Sequence, residues 1–537
     1  MSEVAENLSA APPESGGLSG AGTSGVSGRR VARGTLVLLG VQVLALAAGF
    51  LIATFLTRRL GPSDYGAYSV VFNVVTWAEI IIISLFRQAT IKLLAEAEDW
   101  RAAASRLIRI QTAVGVGVAA LLAACAAPIS GWLHAPDLAG YLRLYSLDVP
   151  ITALSGVTTA ALVGRGAFGR AALVSGLGWG GRLALVLLLV GSGLSVSGAL
   201  LAAIGSSLVV LAASWYFVRP RVFGRSAFPE RLLWSYSLPI FFRSLSLQMF
   251  NRLDLLAVQA LAGASAAGFY GAAQNLTIVP GGFFAAPLSQ VLLASLPPLV
   301  ARGQTGSARA MMDRSMRLVL YLAPFAGLAA GAASEIVVLV YGSSFLPAGV
   351  AVALLAFGAL GLAMISVTCA ILTGSGRPGL TLALTGPLAP LAVAGYLIFV
   401  PRLGMAGAAA VMTTLAWLGA GAAMLAVHRV CGARLPVATI LRVALTTVIV
   451  YGIATTWQAS GLLLIGKLLG LSAVILFCLF VMGELTRVDL AFLWSLFRRV
   501  RAPVTVSEEG SATGPDPATS NGTYVPSPHD SDFPRAG

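Results

Sequence analysis

Apolar runs of about twenty residues, with few charges, recur along this chain from residue 35 to residue 482. A helix of that length spans the hydrocarbon of a bilayer, where backbone N–H and C=O groups must pair within the segment. Only 10% of the residues are charged, against roughly 25% in soluble domains. The runs therefore predict an all-α polytopic membrane protein of about 14 transmembrane helices. They are 35–57, 66–86, 106–127, 142–163, 170–190, 197–217, 236–258, 270–295, 316–333, 349–371, 379–399, 406–427, 437–457 and 461–482.

Three short segments return in the same order a little over 200 residues along the chain. Six predicted spans separate the two copies, and an even number gives both copies the same orientation in the membrane. The repeat predicts two six-helix lobes, related by an axis along the membrane normal, and two extra C-terminal helices outside the duplication. Duplicated bundles are typical of transporters that open to each side in turn. The paired segments are 60–69 with 262–271, 164–170 with 374–380, and 194–199 with 403–408.

The basic residues orient the helices. With a cytoplasmic N-terminus, 26 of them fall on the inner side and four, Arg58, Arg59, Arg143 and Arg402, on the outer side. Because inner loops carry the excess of Lys and Arg, both termini are expected in the cytoplasm. The net charge of +14 then reflects topology and contact with anionic membrane lipids, so no nucleic-acid partner is expected.

The same patterns divide the chain. Both ends are rich in Ser, Gly or Pro and too poor in apolar residues to fold, which predicts disordered cytoplasmic tails. Just before the second tail, aromatic and basic residues alternate as in an interfacial amphipathic helix. The predicted divisions are the tail 1–33, the N-lobe 34–218, an inter-lobe loop 219–235, the C-lobe 236–428, helices thirteen and fourteen in 429–483, the interfacial segment 484–502 and the tail 503–537.

The sequence contains no motif for catalysis or cofactor binding whose structural context fits. GRGAFG and GSGRPG fit G-x-G-x-x-G, but both lie in short turns between spanning helices without the strand that a phosphate-binding loop requires. The three histidines and four cysteines are far apart, without ligand spacing. We therefore expect no cofactor, no metal and no enzyme activity, and no ATP site was found to energise transport.

Charges inside the bilayer are costly and therefore suggest function. Arg243 and Asp254 fall on nearly the same face of the seventh span, as expected beside a wet cavity. A structural ion pair between them is the alternative. Arg252 and Lys467, by contrast, are expected to extend to an interface. The candidate substrate-binding residues are Glu79, Arg182, Arg243, Asn251 and Asp254.

Three segments resemble a known family: RRLGPSDYGAY (58–68), NRLD (251–254) leading to GFY (268–270), and LGMAGA (403–408). They are similar to the polysaccharide transport branch of the MOP superfamily, the Wzx-type oligosaccharide flippases. The resemblance covers about residues 30–482. It implies a two-lobed bundle around a central V-shaped cavity.

The resemblance also implies a substrate. A lipid-linked glycan on an undecaprenyl pyrophosphate carrier would move from the inner to the outer leaflet of the bacterial cytoplasmic membrane, for surface polysaccharide. The expected partners are this substrate and membrane lipids, and contact with polysaccharide polymerase or export machinery stays open. A multidrug or small-solute exporter and a lipid II-type flippase remain alternatives. A membrane glycan polymerase or ligase is disfavoured, because the longest outward segment, 128–141, is short.

Overall fold

The computed structural model describes residues 28–96, 100–220, 253–434 and 437–484. Within these ranges the regular elements are helices and no strand is found. Arg243, Asn251, residues 485–502 of the predicted interfacial segment, the tail 503–537 and most of the tail 1–33 lie outside the described residues. The helices are α1 (Gly28–Glu96), α2 (Trp100–Trp132), α3 (Leu138–Ser146), α4 (Asp148–Gly164), α5 (Phe168–Gly191), α6 (Val196–Val218), α7 (Leu253–Ala301), α8 (Thr305–Leu320), α9 (Ala323–Gly331), α10 (Ala333–Tyr341), α11 (Ala348–Gly374), α12 (Pro378–Thr385), α13 (Leu388–Cys431), α14 (Val437–Thr456) and α15 (Leu462–Val481). A short 3₁₀ turn, Ser343–Phe345, precedes α11.

Up to eleven helices of the described residues are long and apolar enough to cross a membrane, counting the bent α8–α10 segment as one. Glycines at 61, 263 and 404 break the helical backbone of three of them, α1, α7 and α13. The apolar part of α1 alone has 48 residues, about 72 Å of helix against roughly 30 Å of hydrocarbon. Helix α1 is therefore long enough for two crossings, which agrees with the first and second predicted spans.

The helices form two lobes. Helices α1–α6 pack mainly on one another, helices α7–α13 do the same, and α1 packs against α7 where the lobes meet. We call the end of the bundle that holds Gly61 and Gly263 the kink end. The opposite end, where the turns 165–167 and 375–377 lie, we call the turn end.

The sequence repeat is also a repeat of backbone geometry. Gly61 has φ 74° and ψ 177°, and its counterpart Gly263 has φ 86° and ψ 176°. A positive φ of this size is accessible to glycine at little cost and to other residues only with strain. The same glycine thus ends one span and begins the next, without an intervening loop, in each lobe.

The two lobes are joined at the kink end. A Cβ on Gly66 would collide with the carbonyl of Ala264, and a Cβ on Gly268 would collide with the carbonyl of Pro62. These contacts are related by the repeat, since both pairs are offset by 202 residues. Only glycine at both positions lets α1 and α7 cross this closely.

Polar contacts reinforce that closure. The Arg58 guanidinium donates to the backbone oxygens of Val340, at 2.9 Å, and Leu339, at 2.6 Å, at the C-terminal end of α10. Unpaired carbonyls at a helix end attract cations, so this arginine caps a helix of the opposite lobe. His134 Nδ1 lies 3.2 Å from the Ala260 carbonyl oxygen, in a second contact between the lobes.

The last two helices attach to the C-lobe through a buried ion pair. Lys467 of α15 is fully buried, and its Nζ lies 2.6 Å from Glu335 Oε2 of α10 and 2.8 Å from the Ala454 carbonyl oxygen. The other oxygen of Glu335 accepts from the backbone N–H of Ala459. The expectation that Lys467 extends to an interface is therefore wrong, because α10 and α14 supply acceptors inside the protein.

A second ion pair holds the same two helices at the turn end. Glu484, beyond the end of α15, pairs with Arg442 of α14 at 2.8 Å. Its carboxylate also accepts from the hydroxyl of Thr439 at 2.8 Å, and Tyr321 after α8 donates to its backbone oxygen. Helices α14 and α15 are thus fixed at both ends of the membrane.

Candidate functional site

A half-buried arginine lies within the N-lobe. Arg182 of α5 donates from Nη2 to the hydroxyl of Tyr68 on α1 at 3.0 Å. Its Cζ lies 4.6 Å from the ring centroid of Phe72 and 6.0 Å from that of Trp179. Both separations are within the range of cation–π attraction, which partly replaces the water that the guanidinium loses. Aromatic faces and one hydroxyl thus hold the cation in place.

Two carboxyl groups accompany this cation. Glu79 of α1 and Asp148 at the start of α4 are both buried, and their side chains lie within hydrogen-bonding reach of each other. The hydroxyls of Ser207 and Tyr145 are also within reach of Asp148. Because ionised carboxylates can only accept hydrogen bonds, a bond between these two groups requires one shared proton. Two acids and one cation thus meet in this cluster.

Part of the hydrogen-bonding capacity of this cluster is unused. Within the described residues Arg182 Nε, Glu79 Oε1 and Asp148 Oδ1 are buried and have no hydrogen-bond partner. An unsatisfied buried polar atom costs about 1–3 kcal/mol, and more when it is charged. Three such atoms in one cluster indicate a place where water or a polar group of a substrate enters.

Among the described residues of the C-lobe, a buried aspartate forms the corresponding polar site. Asp254, near the start of α7, is fully buried and accepts from the hydroxyl of Tyr270 at 2.9 Å and the Nε2 amide of Gln274 at 2.6 Å. Its Oδ1 also accepts from the backbone N–H of Leu255. These donors lie on either side of the break at Gly263, so Asp254 connects the two parts of α7.

The repeated tyrosines make the lobes comparable. Tyr68 and Tyr270 occupy the same position of the repeat, and each hydroxyl contacts the buried charge of its own lobe, Arg182 or Asp254. The two charges have opposite sign. The two lobes therefore place side chains of opposite charge beside the repeated tyrosine.

A hydrogen bond across the lobe boundary brings the two sites close. Asn275 on α7 donates from Nδ2 to the hydroxyl of Tyr65 on α1 at 2.9 Å. The Tyr65 ring lies 6.1 Å from that of Tyr68, and Asn275 follows Gln274, a ligand of Asp254. The side chain of Asn275 is exposed although it lies within a span. It therefore places one exposed polar group at the boundary between the lobes.

The structure brings together two of the predicted site residues, Glu79 and Arg182, and places Asp254 in the opposite lobe. Arg243 and Asn251 lie outside the described residues. Sequence reasoning missed Asp148, although an acid inside the fourth apolar run carries the same signal as Glu79 in the second. It also identified the repeated tyrosines without assigning them a role.

Two cavities lie apart from this cluster. One of about 160 Å³ at the kink end is almost entirely apolar, and its walls include Trp132 from the N-lobe and Tyr396 from the C-lobe. The other, of about 220 Å³, lies at the turn end beside α5. Neither is lined by Arg182 or Glu79. The chemistry of the buried charges is therefore not explained by these two cavities.

Comparisons with known proteins agree with the fold. A family model described as "Polysaccharide biosynthesis protein" matches residues 31–296. The structure resembles "Lipid II flippase MurJ, inward closed conformation", at 14% identity and TM-score 0.70, over 86% of this chain and 100% of that chain. It also resembles a multidrug resistance MATE family transporter of the MOP superfamily. The inward-facing form matches at 18% identity and TM-score 0.60, over 77% of this chain and 98% of that chain.

The outward-facing form of a MATE transporter is similar as well, at 20% identity and TM-score 0.52, over 78% of this chain and 96% of that chain. No curated protein matches the sequence. Identities this low establish the shared helical architecture and carry no information on substrate. Residues 31–296 are thus similar to the polysaccharide biosynthesis protein family, and the helical architecture of the chain is that of membrane transporters and flippases of the MOP superfamily.

Proposed function

We propose that the chain moves an undecaprenyl-pyrophosphate-linked oligosaccharide from the inner to the outer leaflet of a bacterial cytoplasmic membrane, for surface polysaccharide synthesis. The half-buried Arg182, whose buried Nε has no hydrogen-bond partner among the described residues, is the observation that carries this proposal. A pyrophosphate cannot enter hydrocarbon unless cations and hydrogen-bond donors replace its water. A planar guanidinium suits phosphate oxygens, while a lateral opening would leave the polyprenyl tail in lipid.

The carboxyl groups give the site a way to release its ligand. A phosphate oxygen and the acids Glu79 and Asp148 compete for the same guanidinium of Arg182. Binding of the phosphate to Arg182 is favoured while the two acids share a proton and is opposed when both acids are ionised. In this proposal the substrate binds at the unpartnered atoms of the cluster.

Asp254 has a positioning role in this scheme, because its oxygens accept from Tyr270, Gln274 and Leu255. Arg243 and Asn251 stay proposed substrate contacts on the preceding span. Alternating access would use the closure at Gly66 and Gly268, and the charge bias of the sequence favours the outer side for it. Separating the lobes there and joining them at the turn end would expose the site to the outer leaflet. Both termini would lie in the cytoplasm.

An exporter of organic cations is the second candidate function. Two buried carboxyl groups accompany one arginine in the N-lobe cluster, and a cationic solute would also find partners there. This candidate predicts that cells lacking the protein become sensitive to toxic organic cations while their surface polysaccharide is unchanged.

The experiment that tests the proposal is depletion of the protein followed by analysis of lipid-linked intermediates. We expect a glycan precursor on its polyprenyl carrier to accumulate and surface polysaccharide to fall, because synthesis continues on the inner leaflet without transfer. Unchanged lipid-linked and surface pools would contradict the proposal. Sensitivity to organic cations, measured in the same cells, would favour the exporter.

A further inference from the structure

Two tyrosines just after the kink of α1 contact different lobes. Tyr65 and Tyr68 are three residues apart, so their side chains leave the same face of the helix, and both are buried. The Tyr65 hydroxyl accepts from the Nδ2 amide of Asn275 in the C-lobe at 2.9 Å. The Tyr68 hydroxyl accepts from Nη2 of Arg182 in the N-lobe at 3.0 Å. One turn of α1 therefore connects a contact between the lobes to the arginine of the N-lobe cluster.

The aromatic rings between these two hydrogen bonds pack on one another. The ring centroids of Tyr65 and Tyr68 are 6.1 Å apart, and the Tyr68 ring stacks on Phe72 at 5.7 Å with 20° between the planes. The guanidinium carbon of Arg182 lies 4.6 Å from the centroid of the same Phe72 ring. Aromatic pairs at these separations attract each other, and buried rings in a close-packed interior do not shift alone. We therefore expect a displacement of Tyr65 to reach the groups that hold Arg182.

The C-lobe packs against the Tyr65 ring. Phe345, in the 3₁₀ turn before α11, is fully buried and meets Tyr65 edge-on, with 5.9 Å between the centroids and 82° between the planes. Phe269 and Tyr341 of the same lobe lie 5.7 Å and 5.9 Å from the Phe345 ring. Tyr65 directly precedes Gly66, where α1 crosses α7. Separation of the lobes at this crossing would therefore withdraw the C-lobe partners from Tyr65.

The second copy of the repeat separates this contact from local folding. Ala267 stands where the first copy has Tyr65, although the glycines on either side return unchanged. The preceding break has nearly the same backbone angles in both copies, at Gly61 and Gly263. The Tyr65 ring is therefore not required for the kinked helix, and its contacts with the other lobe call for another explanation.

We infer that Tyr65 and Tyr68 are positioning residues, which couple closure of the kink end to the orientation of the Arg182 guanidinium. While the lobes are joined there, the C-lobe holds Tyr65, and Tyr65 holds Tyr68 against Arg182. When the lobes separate, Tyr65 loses its C-lobe partners and the guanidinium is held less firmly. The consequence for transport rests on the proposed function. The arginine would be ordered for phosphate while the kink end is closed, and would release it after that end opens.

The test is the fluorine NMR spectrum of the full-length protein, labelled with fluorotryptophan and purified without substrate. The Trp179 ring lies 6.0 Å from the guanidinium carbon of Arg182, so its resonance responds to movement of that charge. Loss of one signal in Trp179→Phe assigns the resonance. All spectra are recorded with Arg58→Cys/Leu339→Cys cross-linked, which keeps the lobes joined in every variant. Tyr68→Phe, which removes the hydroxyl next to Arg182, defines the shift expected for a released guanidinium.

Asn275→Ala should shift the Trp179 resonance in the same direction as Tyr68→Phe and by less, because it removes a hydrogen bond donated from the opposite lobe. Tyr65→Ala, which copies the second repeat, should shift it further than Asn275→Ala. Adding Asn275→Ala to Tyr68→Phe should produce no additional shift, since the connection is already broken. The matched control is Tyr396→Phe, whose hydroxyl contacts a methionine sulfur within the C-lobe, and it should leave the resonance unchanged.

An unchanged Trp179 resonance in Asn275→Ala would overturn the inference, and so would additive shifts in the double variant. The Asn275 side chain is exposed, so its replacement leaves no cavity in the core even if Tyr65→Ala fails to fold. Because the spectra require no substrate, they decide the coupling separately from the proposed function, which depletion of the protein tests. If Asn275→Ala shifts the resonance, it should also lower glycan transfer in cells several-fold, and normal transfer would contradict the role in transport.

Discussion

At the scale of single residues, the N-lobe cluster consists of one cation with a hydroxyl and two aromatic rings around it, and two neighbouring acids that lie close to each other. Arg182 has one hydroxyl and two aromatic rings around it, whereas Glu79 and Asp148 are within hydrogen-bonding reach of one another. An isolated buried charge is too costly to persist, so the guanidinium and the acid pair stabilise each other. This mutual dependence can be tested by removing the acids singly and together.

Glu79→Gln and Asp148→Asn should each be tolerated, within about 1 kcal/mol, because the new amide donates the hydrogen bond that the shared proton made and one acid still balances Arg182. The double variant should lose about 3–5 kcal/mol, since it leaves the buried guanidinium uncompensated. Thermal unfolding of the purified protein measures both effects. A double variant as stable as the singles would show that the acids do not compensate the arginine.

Some of these residues follow from sequence and others do not. Glu79 and Arg182 stand out because they are charged within apolar runs. The mutual contact of Glu79 with Asp148 is not predictable from spacing, since it depends on how α1 packs against α4. The partner of Lys467 was missed for a related reason: Glu335 lies just beyond the predicted end of the ninth span, in a helix that begins after a 69° bend.

At the scale of helices, α1 and α7 cross in close contact where the lobes meet. Gly66 and Gly268 allow it, and the kinks at Gly61 and Gly263 bring both helices to the same place. The repeat predicts that these positions are equivalent, and the structure shows that they contact each other's segments. The crossing is a contact that must separate if the kink end opens.

Gly66→Ala and Gly268→Ala should therefore prevent full closure at the kink end, because the added methyl group collides with backbone that cannot rotate away. Cross-linking between cysteines introduced at Arg58 and Leu339, which lie in contact across the lobes, measures the closed fraction. We expect a several-fold loss of cross-linking in either variant. Gly452→Ala on α14, where a Cβ meets nothing within 4 Å, is the control. Undiminished cross-linking in both glycine variants would show that this crossing does not control closure.

The buried pair of Lys467 and Glu335 should contribute strongly to the attachment of α14 and α15. Lys467→Met leaves the Glu335 carboxylate without its cation and should destabilise the purified protein by about 3–5 kcal/mol. Adding Glu335→Gln removes the orphaned charge and should restore much of the loss. Thermal unfolding of the two variants decides the point. If the double variant is as unstable as Lys467→Met, the lysine acts through packing and not through the ion pair.

At the scale of the whole molecule, the repeat and the apolar runs determine most of the architecture. The number of crossings, the two lobes and the two additional helices follow from them. What the sequence does not reveal is the difference between the lobes. The same repeated tyrosine contacts a cation in one lobe and an anion in the other, because Arg182 and Asp254 come from non-equivalent positions of the repeat.

The proposed function assigns the transported phosphate to Arg182 in the N-lobe. The most direct measurement is the amount of lipid-linked glycan that a membrane-impermeant glycosidase can reach from the outer face of cells with their outer layers removed. With Arg182→Ala we predict that the glycan stays inaccessible although the protein level is unchanged, that Arg182→Lys restores part of the access, and that Arg402→Ala, an exposed arginine, has no effect. Full access in cells that carry Arg182→Ala would contradict the account.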